Sequence, residues 1–159
     1  MSTEIVLIDT NLRHFSLATS KESSWQALHD QAAEFISRLL QDDDILIALS
    51  SYQIAEILDL LRKVRYPSER RHDLIRSFRD PKFRVVEVTH DTAEKSCLMS
   101  LVSGIHVYDY LVALPLKGIV TAIYSADDHF LHPDFQAVAP VTNPLSPWVL
   151  REGRQPMRD

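Results

Sequence analysis

A chain of 159 residues, 45% hydrophobic and 25% charged with a net charge of −5, has the size and balance of one soluble globular domain that buries its own core. A single cysteine, Cys97, excludes an intramolecular disulfide and a cysteine-built metal cage, and is read as a small buried hydrophobe. Three scattered glycines, Gly104, Gly118 and Gly153, exclude a glycine-rich phosphate loop and with it the GxGxxG and Walker-type nucleotide sites.

The start, MSTEIVLID, has no basic region ahead of an apolar one and is not read as a secretory signal. No apolar run approaches the roughly 18–20 residues of a membrane span, so a cytoplasmic protein is expected. Glu4–Ile8 is short, apolar and β-branched, the pattern of a buried strand. Helical spacing follows over Trp25–Leu40, with Ala32, Phe35, Ile36, Leu39 and Leu40 on one stripe. Asp44–Leu49 predicts a second buried strand. The segment SSYQIAEILDLLRK then opens with Ser50 and Gln53 at capping-box spacing and continues as a helix striped by Ile54, Ile57, Leu58 and Leu61.

A more basic helix is expected over 68–79, started by Pro67. Between Arg62 and Arg84 nine Lys/Arg stand against three Asp/Glu, a basic segment in an otherwise acidic chain. Its ordinary reading is a solvated helical face; its functional reading is a surface that steers phosphates, through Arg62, Lys63, Arg65, Arg70, Arg71, Arg76 and Arg79. Phe83–Val88 predicts a third strand. Helices are expected over 91–102 and 106–114, divided near Gly104 and ended by Pro115 and Gly118. Gly118–Ser125 predicts a fourth strand and Phe135–Val141 a short fifth. The domain is set at 1–145. The proline-rich tail 146–159 is expected to be irregular, with Trp148 packing back onto the domain. Apolar strands alternating with helices specify an α/β fold: a three-layer α/β/α sandwich with a mainly parallel sheet of four to five strands.

In such sheets sites form beyond the carboxyl ends of strands, where the strand order reverses. Asp9 ends the first strand, and Asp127 and Asp128 follow the fourth. Asp109 lies in the first turn of one helix, and Glu56 near the start of another that leaves the same sheet edge. Each acid alone has an ordinary reading as a turn residue, a cap or a solvated helix residue; their joint placement is what carries weight. Clustered carboxylates resist ionisation, and a divalent cation relieves their repulsion. Mg²⁺ and Mn²⁺ favour oxygen ligands, and such ions activate water and neutralise phosphoryl charge. Phosphodiester hydrolysis is the matching chemistry. Asp42, Asp43 and Asp44 precede the second strand at its opposite end and are read as solvated loop acids.

On these residues the chain resembles PIN-domain nucleases, especially toxin ribonucleases of the VapC type, from Ile5 to about Pro144. The matching motifs are IVLIDTN at Asp9 with Asn11 as a supporting polar residue, IAEIL at Glu56, YDYLVA at Asp109, and YSADDHF at Ser125, Asp127 and Phe130. Asp128 is an extra carboxylate, Pro115 interrupts the helix of Asp109, and Arg13 stands where an apolar residue is more usual. The resemblance implies a PIN-like fold and a Mg²⁺- or Mn²⁺-dependent endoribonuclease acting on RNA. It further implies Asp9, Glu56, Asp109 and Asp127 as catalytic and metal-holding residues, a homodimer, and a small antitoxin protein as inhibitor. Two other readings compete. A haloacid-dehalogenase-type phosphatase needs an aspartate at position 11, where Asn11 stands, and leaves Glu56 without a role. An inactive PIN-like module that binds RNA or a partner would not require all four acids.

Overall fold

In the computed structural model of the chain, residues 2–17, 23–145 and 148 are described. Five strands form one sheet in the order β3-β2-β1-β4-β5, every pair parallel: β1 (Glu4–Ile8), β2 (Ile45–Ser50), β3 (Phe83–Val86), β4 (Ala122–Tyr124) and β5 (Val141–Thr142). The helices between them are α1 (Thr10–Leu17), α2 (Ser23–Gln41), α3 (Ser51–Lys63), α4 (Ser68–Ser77), α5 (His90–Ser103), α6 (Val107–Ala113) and α7 (Pro133–Gln136). Parallel pairing forces each connection to cross back over the sheet, which is why helices cover both faces.

Alternation along the strands divides the core in two. Val6, Ile8, Ile47 and Leu49 face one layer with Leu12 and Phe15 of α1, Ile36 of α2 and Leu61 of α3. Leu7, Ala48 and Ile123 face the other, against Tyr110 and Val112 of α6, Phe130 and Phe135. Full burial of each such side chain is worth about 1.5–3 kcal/mol, so the central strands fix the register on both sides. The α/β three-layer sandwich is as the sequence predicts. The chain runs outward from β1 through β2 to β3 and then returns to β4 on β1's other flank. The strand order therefore reverses between β1 and β4, and Asp9 and Asp127 follow these two neighbours.

Several boundaries differ from the sequence expectation. The segment after Asp9 is a helix, α1, to which the sequence assigned no element. The expected strand over Phe135–Val141 is largely α7 and a turn. Pro133 sets the first helical position, and the His132 side chain accepts from Asp134 N. Only Val141–Thr142 joins the sheet. β4 starts later than Gly118, because Ile119 N and Val120 N still donate to Leu116 O in a turn. β3 ends at Val86, since Val88 N donates to Ser51 Oγ and Thr89 already caps α5. Gly104, at φ 77°, closes α5 in the left-handed conformation that glycine tolerates.

Cys97 is exposed, not buried. It lies on the outer side of α5, beside Leu98, Leu101 and Val102, of which the last two are 81% and 91% exposed. Trp148 is half-buried; the rest of the tail expectation lies outside the described residues.

Candidate active site

The site begins with β1. Asp9 N donates to Tyr124 O at 2.9 Å, which carries the β1–β4 pairing one residue past the strand and holds the Asp9 backbone at the sheet's edge. Its side chain is 2% exposed. Oδ1 accepts from Thr10 N at 2.8 Å, and Oδ2 accepts from Ser125 Oγ at 2.7 Å. Ser125, itself fully buried, also accepts from Asp127 N at 3.0 Å. One hydroxyl thus fixes Asp9 relative to the loop that bears Asp127.

Asp127 caps a short 3-10 helix at 128–131, its Oδ1 accepting from His129 N at 3.0 Å. Asp109 is buried in the first turn of α6. That helix is anchored by its next residue. Tyr110 is fully buried, stacks on Phe135 at 4.8 Å, and its hydroxyl lies 2.7 Å from both Ser103 Oγ and Asp134 Oδ2. With Tyr110 locked into the core, Asp109 is held at the site. Pro115 sits in a 3-10 turn beyond α6, after the turn that carries Asp109, and so leaves it undisturbed.

His129 was not read from the sequence as a site residue. Its Nδ1 lies 3.1 Å from Asp109 Oδ2 and 3.9 Å from Asp127 Oδ1. One ligand atom from each of Asp109, Asp127 and His129 falls within a 4.8 Å cluster. The hydrogen bond to Asp109 chiefly, and the charges of Asp127, Asp109 and Asp128, hold the imidazole above its ordinary pKa despite burial. Asp128 is half-buried, and its Oδ1 has no hydrogen-bond partner among the described residues.

Glu56 stands at the cluster's margin, half-buried, its Oε2 accepting from Thr10 Oγ1 at 3.1 Å. Behind Thr10, the fully buried Gln53 donates to Ile8 O at 2.6 Å and Thr10 Oγ1 at 3.4 Å. Thr10, to which the sequence gave no role, and Gln53, read there only as a capping residue, tie α3 to the end of β1. Asn11 lines a small cavity of about 180 Å³ with Thr10, His14, Glu56 and Lys63. Its Oδ1 makes no hydrogen bond among the described residues.

Burial first, and then the charges of Asp109, Asp127 and Glu56, raise the Asp9 carboxyl well above the ordinary range; the Ser125 hydrogen bond only partly offsets this. No cation figures among the charges that act on Asp9. Among the described residues, the three whose ligand atoms lie close enough to share an ion are Asp109, Asp127 and His129, while Asp9 and Glu56 share the same field without joining that group.

The basic segment is spread more widely. Arg62 and Lys63 are exposed and pair with Asp59, each at 2.8 Å. Arg65 is at a positive φ of 57° where the chain leaves α3. Arg70 and Arg71 lie on α4 beside separate surface cavities, while Arg76 and Arg79 are exposed. None of the seven falls among the charges acting on Asp9.

No family model matches the sequence, and no curated protein matches it. Solved structures do resemble the fold. VapBC2 of Rickettsia felis, solved bound to a DNA fragment from its promoter, aligns with a TM-score of 0.57 at 14% identity, over 87% of this chain and 98% of that one. VapC20 of Mycobacterium tuberculosis, a Sarcin-Ricin loop cleaving toxin, aligns with a TM-score of 0.58 at 18% identity, over 84% and 98%. A toxin–antitoxin complex from Klebsiella pneumoniae aligns with a TM-score of 0.54 at 15% identity, over 89% and 98%. The chain therefore has the PIN-like fold of these toxins, the fold the sequence motifs imply.

The acid cluster has a consequence for stability. Asp9 holds its proton more tightly folded than unfolded, so its stabilising contribution is present at acid pH and is lost as pH rises through the raised folded value. Asp9→Asn is accordingly expected to raise the thermal midpoint of the metal-free protein at pH 7, with the gain shrinking toward pH 4. Mn²⁺ at about 100 times its Kd should stabilise the wild type by about 2.7 kcal/mol and the variant by much less. Thermal melts with and without Mn²⁺ across this pH range read both effects. A destabilised variant at pH 7, or equal stabilisation by Mn²⁺, contradicts this account.

Proposed function

We propose that this chain is a metal-dependent endoribonuclease of the VapC type, the toxin of a toxin–antitoxin pair, with Asp9, Glu56, Asp109 and Asp127 as its catalytic carboxylates. The observation that carries the reading is the convergence of these acids where the strand order reverses between β1 and β4, in a fold shared with VapC toxins. Asp9, Asp109 and Asp127 would hold Mg²⁺ or Mn²⁺, with Glu56 at the margin. The bound ion would supply Lewis acidity and charge neutralisation at an RNA phosphodiester. The chain's own part is to hold the acids. Ser125 orients Asp9 and braces the Asp127 loop, Thr10 positions Glu56, and Tyr110 holds Asp109 in place. His129, kept protonated further into the neutral range by Asp109, is placed to steady that carboxylate and to move a proton at Nδ1.

Asp128 remains a supporting acid in this reading, acting through the field on His129. An inactive module is disfavoured because the full acid set and its supporting hydrogen bonds are present. The phosphatase reading is disfavoured because Asn11 supplies no second carboxylate beside Asp9. An antitoxin as partner follows from the same likeness, since one of the similar structures is a toxin–antitoxin complex. Among the described residues no helix is long and apolar enough to cross a membrane.

Asp9→Asn keeps the side-chain shape but removes a ligand charge. It is expected to lower Mn²⁺-dependent RNA cleavage by at least about 10²–10³, the loss typical of one transition-state stabiliser. Undiminished cleavage, or equal cleavage in excess chelator, would sink the assignment. Neutralising Arg70, Arg71 and Arg76 together should weaken RNA binding and flatten its dependence on salt, because phosphate contacts release counterions. Filter binding at several salt concentrations measures this, and an unchanged slope would mark the basic segment as a solvated face only. The strip Leu98, Leu101 and Val102 on α5 supports a homodimer, since apolar side chains so exposed favour burial by a second copy. Light scattering at micromolar concentration should give a dimer mass for the wild type and a monomer mass for Leu101→Glu/Val102→Glu. A monomeric wild type would count against it.

A further inference from the structure

Aromatic side chains bring the largest apolar areas to a core, and this chain covers nearly all of its own. Among the described residues a single Phe, Tyr or Trp stands exposed: Tyr108, at 55%. It directly precedes Asp109 in the first turn of α6. Its ring stacks on that of Tyr52, with centroids 5.6 Å apart and planes 9° from parallel. Rings in contact are separated by about 3.5–4.0 Å, so the two are slid past one another in the offset arrangement that aromatic pairs prefer. Tyr52 is half-buried and packs against the core layer that holds Tyr110 and Val112, which gives the pair a fixed floor. Tyr52 covers one face of the Tyr108 ring, and the exposure of Tyr108 leaves the other face to solvent.

Both rings belong to the sheet edge that bears the acids. Tyr52 lies in the first turn of α3, directly after β2. Glu56 follows it by four residues and so shares its side of the helix. Tyr108 and Asp109 are joined by one peptide bond, with Cα atoms about 3.8 Å apart. The acids alone are a poor resting place for an RNA strand, because carboxylates repel its phosphates. None of the seven Lys and Arg of the basic segment acts on Asp9 to offset this. A free aromatic face beside Asp109 holds a strand through its bases, without charge.

We propose that the Tyr52–Tyr108 pair is a platform on which one unpaired base of the substrate stacks, so that a neighbouring phosphodiester is held at Asp109. The inference rests on the reading of the chain as an enzyme that cleaves RNA, and it narrows the substrate. A base inside a duplex has both faces covered by its neighbours, so only an unstacked base, in a single strand or a loop, can lie on Tyr108. Every base has a π-face, so the platform selects for strandedness and not for sequence. Tyr108 then fixes substrate position, while the carboxylates act on the reacting phosphate.

The test uses a short single-stranded RNA of mixed sequence, the same RNA with one base removed at each position in turn, and the bare ribose-phosphate chain. The proteins are wild type, Tyr108→Phe, and Tyr108→Leu, which keeps bulk over Tyr52 but removes the ring. Fluorescence anisotropy in excess chelator gives affinity, and cleavage in Mn²⁺ gives kcat/KM. Wild type should bind the bare chain at least about fivefold more weakly than the intact RNA, the scale of one stacked base. Tyr108→Leu should erase that difference by weakening the intact RNA alone, and Tyr108→Phe should retain it. Removing the base beside the cleaved bond should lower wild-type kcat/KM by a similar factor and leave that of Tyr108→Leu unchanged. Thermal stabilisation by Mn²⁺ should be equal in all three proteins, as it is when Asp109 keeps its place. The proposal is overturned if wild type binds intact and bare chains equally, or if Tyr108→Leu keeps the base dependence. It is overturned too if Tyr108→Leu loses intact and bare chains alike or loses stabilisation by Mn²⁺, since Tyr108 is then a brace for α6. A dimer mass that falls to a monomer mass in Tyr108→Leu also overturns it and gives the ring's free face to a second copy of the chain. Cleavage by wild type without base dependence overturns the platform alone. Base-dependent binding that Tyr108→Leu erases, with no Mn²⁺-dependent cleavage, overturns the nuclease reading and leaves the platform standing. No binding of RNA overturns both.

Discussion

Repulsion among buried carboxylates is the constraint around which the rest of the chain is arranged. Burial sets the largest part of the cost of charging Asp9, and Asp109, Asp127 and Glu56 together add to it. Left to themselves, such side chains would rotate apart toward water. They are held by elements that are stable for other reasons. β1 is pinned on both flanks by β2 and β4, α6 is pinned by Tyr110 in the core, and the Asp127 loop is pinned by Ser125. The apolar layers thus supply the free energy that keeps the acids in register, and a cation from outside would relieve what remains. This is the usual relation between a rigid parallel sheet and the reactive edge at its strand ends.

Much of this was legible in the sequence because it is written in local patterns. The runs VLI and ILIAL are continuous and apolar, as strands buried on both faces must be, and they became β1 and β2. Ser50 at the end of β2 caps α3 by accepting from Gln53 N at 3.1 Å, which the capping-box spacing anticipated. The four acids were legible because each sits at the end of such a pattern. What was illegible acts across space. Thr10 to Glu56 spans 46 residues, and His129 to Asp109 spans 20; neither bond leaves a mark on its own neighbourhood. α1 was missed because eight residues with only Leu12 and Phe15 as buried apolar anchors show too little periodicity. Phe135 misled in the opposite sense. Its apolar surroundings suggest a strand, but the side chain reaches the core from a helix turn started by Pro133. Cys97 was misread because α5 has apolar side chains all round, so its sequence does not say which face is inside.

On the function proposed above, the partition of charge would also account for how an acidic chain suits an RNA substrate. Acids are concentrated at the strand ends and in surface loops, while the excess of Lys and Arg lies on the later part of α3 and on α4. A net charge of −5 is a sum over both and describes neither. Arg62 and Lys63 are already partly neutralised by Asp59, so the positive field is carried chiefly by α4 and the turn that follows it. Substrate phosphates would then meet positive charge on the approach and a cation held by carboxylates at the reacting centre, two separate sources of attraction.

The two unusual buried charges stand at the two ends of a single helical turn. Asp9 immediately precedes α1, and Arg13 lies four residues later, a spacing at which opposite charges on a helix commonly pair. Here they do not: neither acts on the other's ionisation. Asp9 turns toward Ser125 and the acid cluster, and Arg13 toward the side of α1 that faces α4. Had they paired, each would have cancelled the other's demand, and Asp9 would have lost much of its attraction for a cation. Keeping them apart costs stability twice within one short helix. On the Asp9 side such a cost is tolerable where a bound cation would answer the charge.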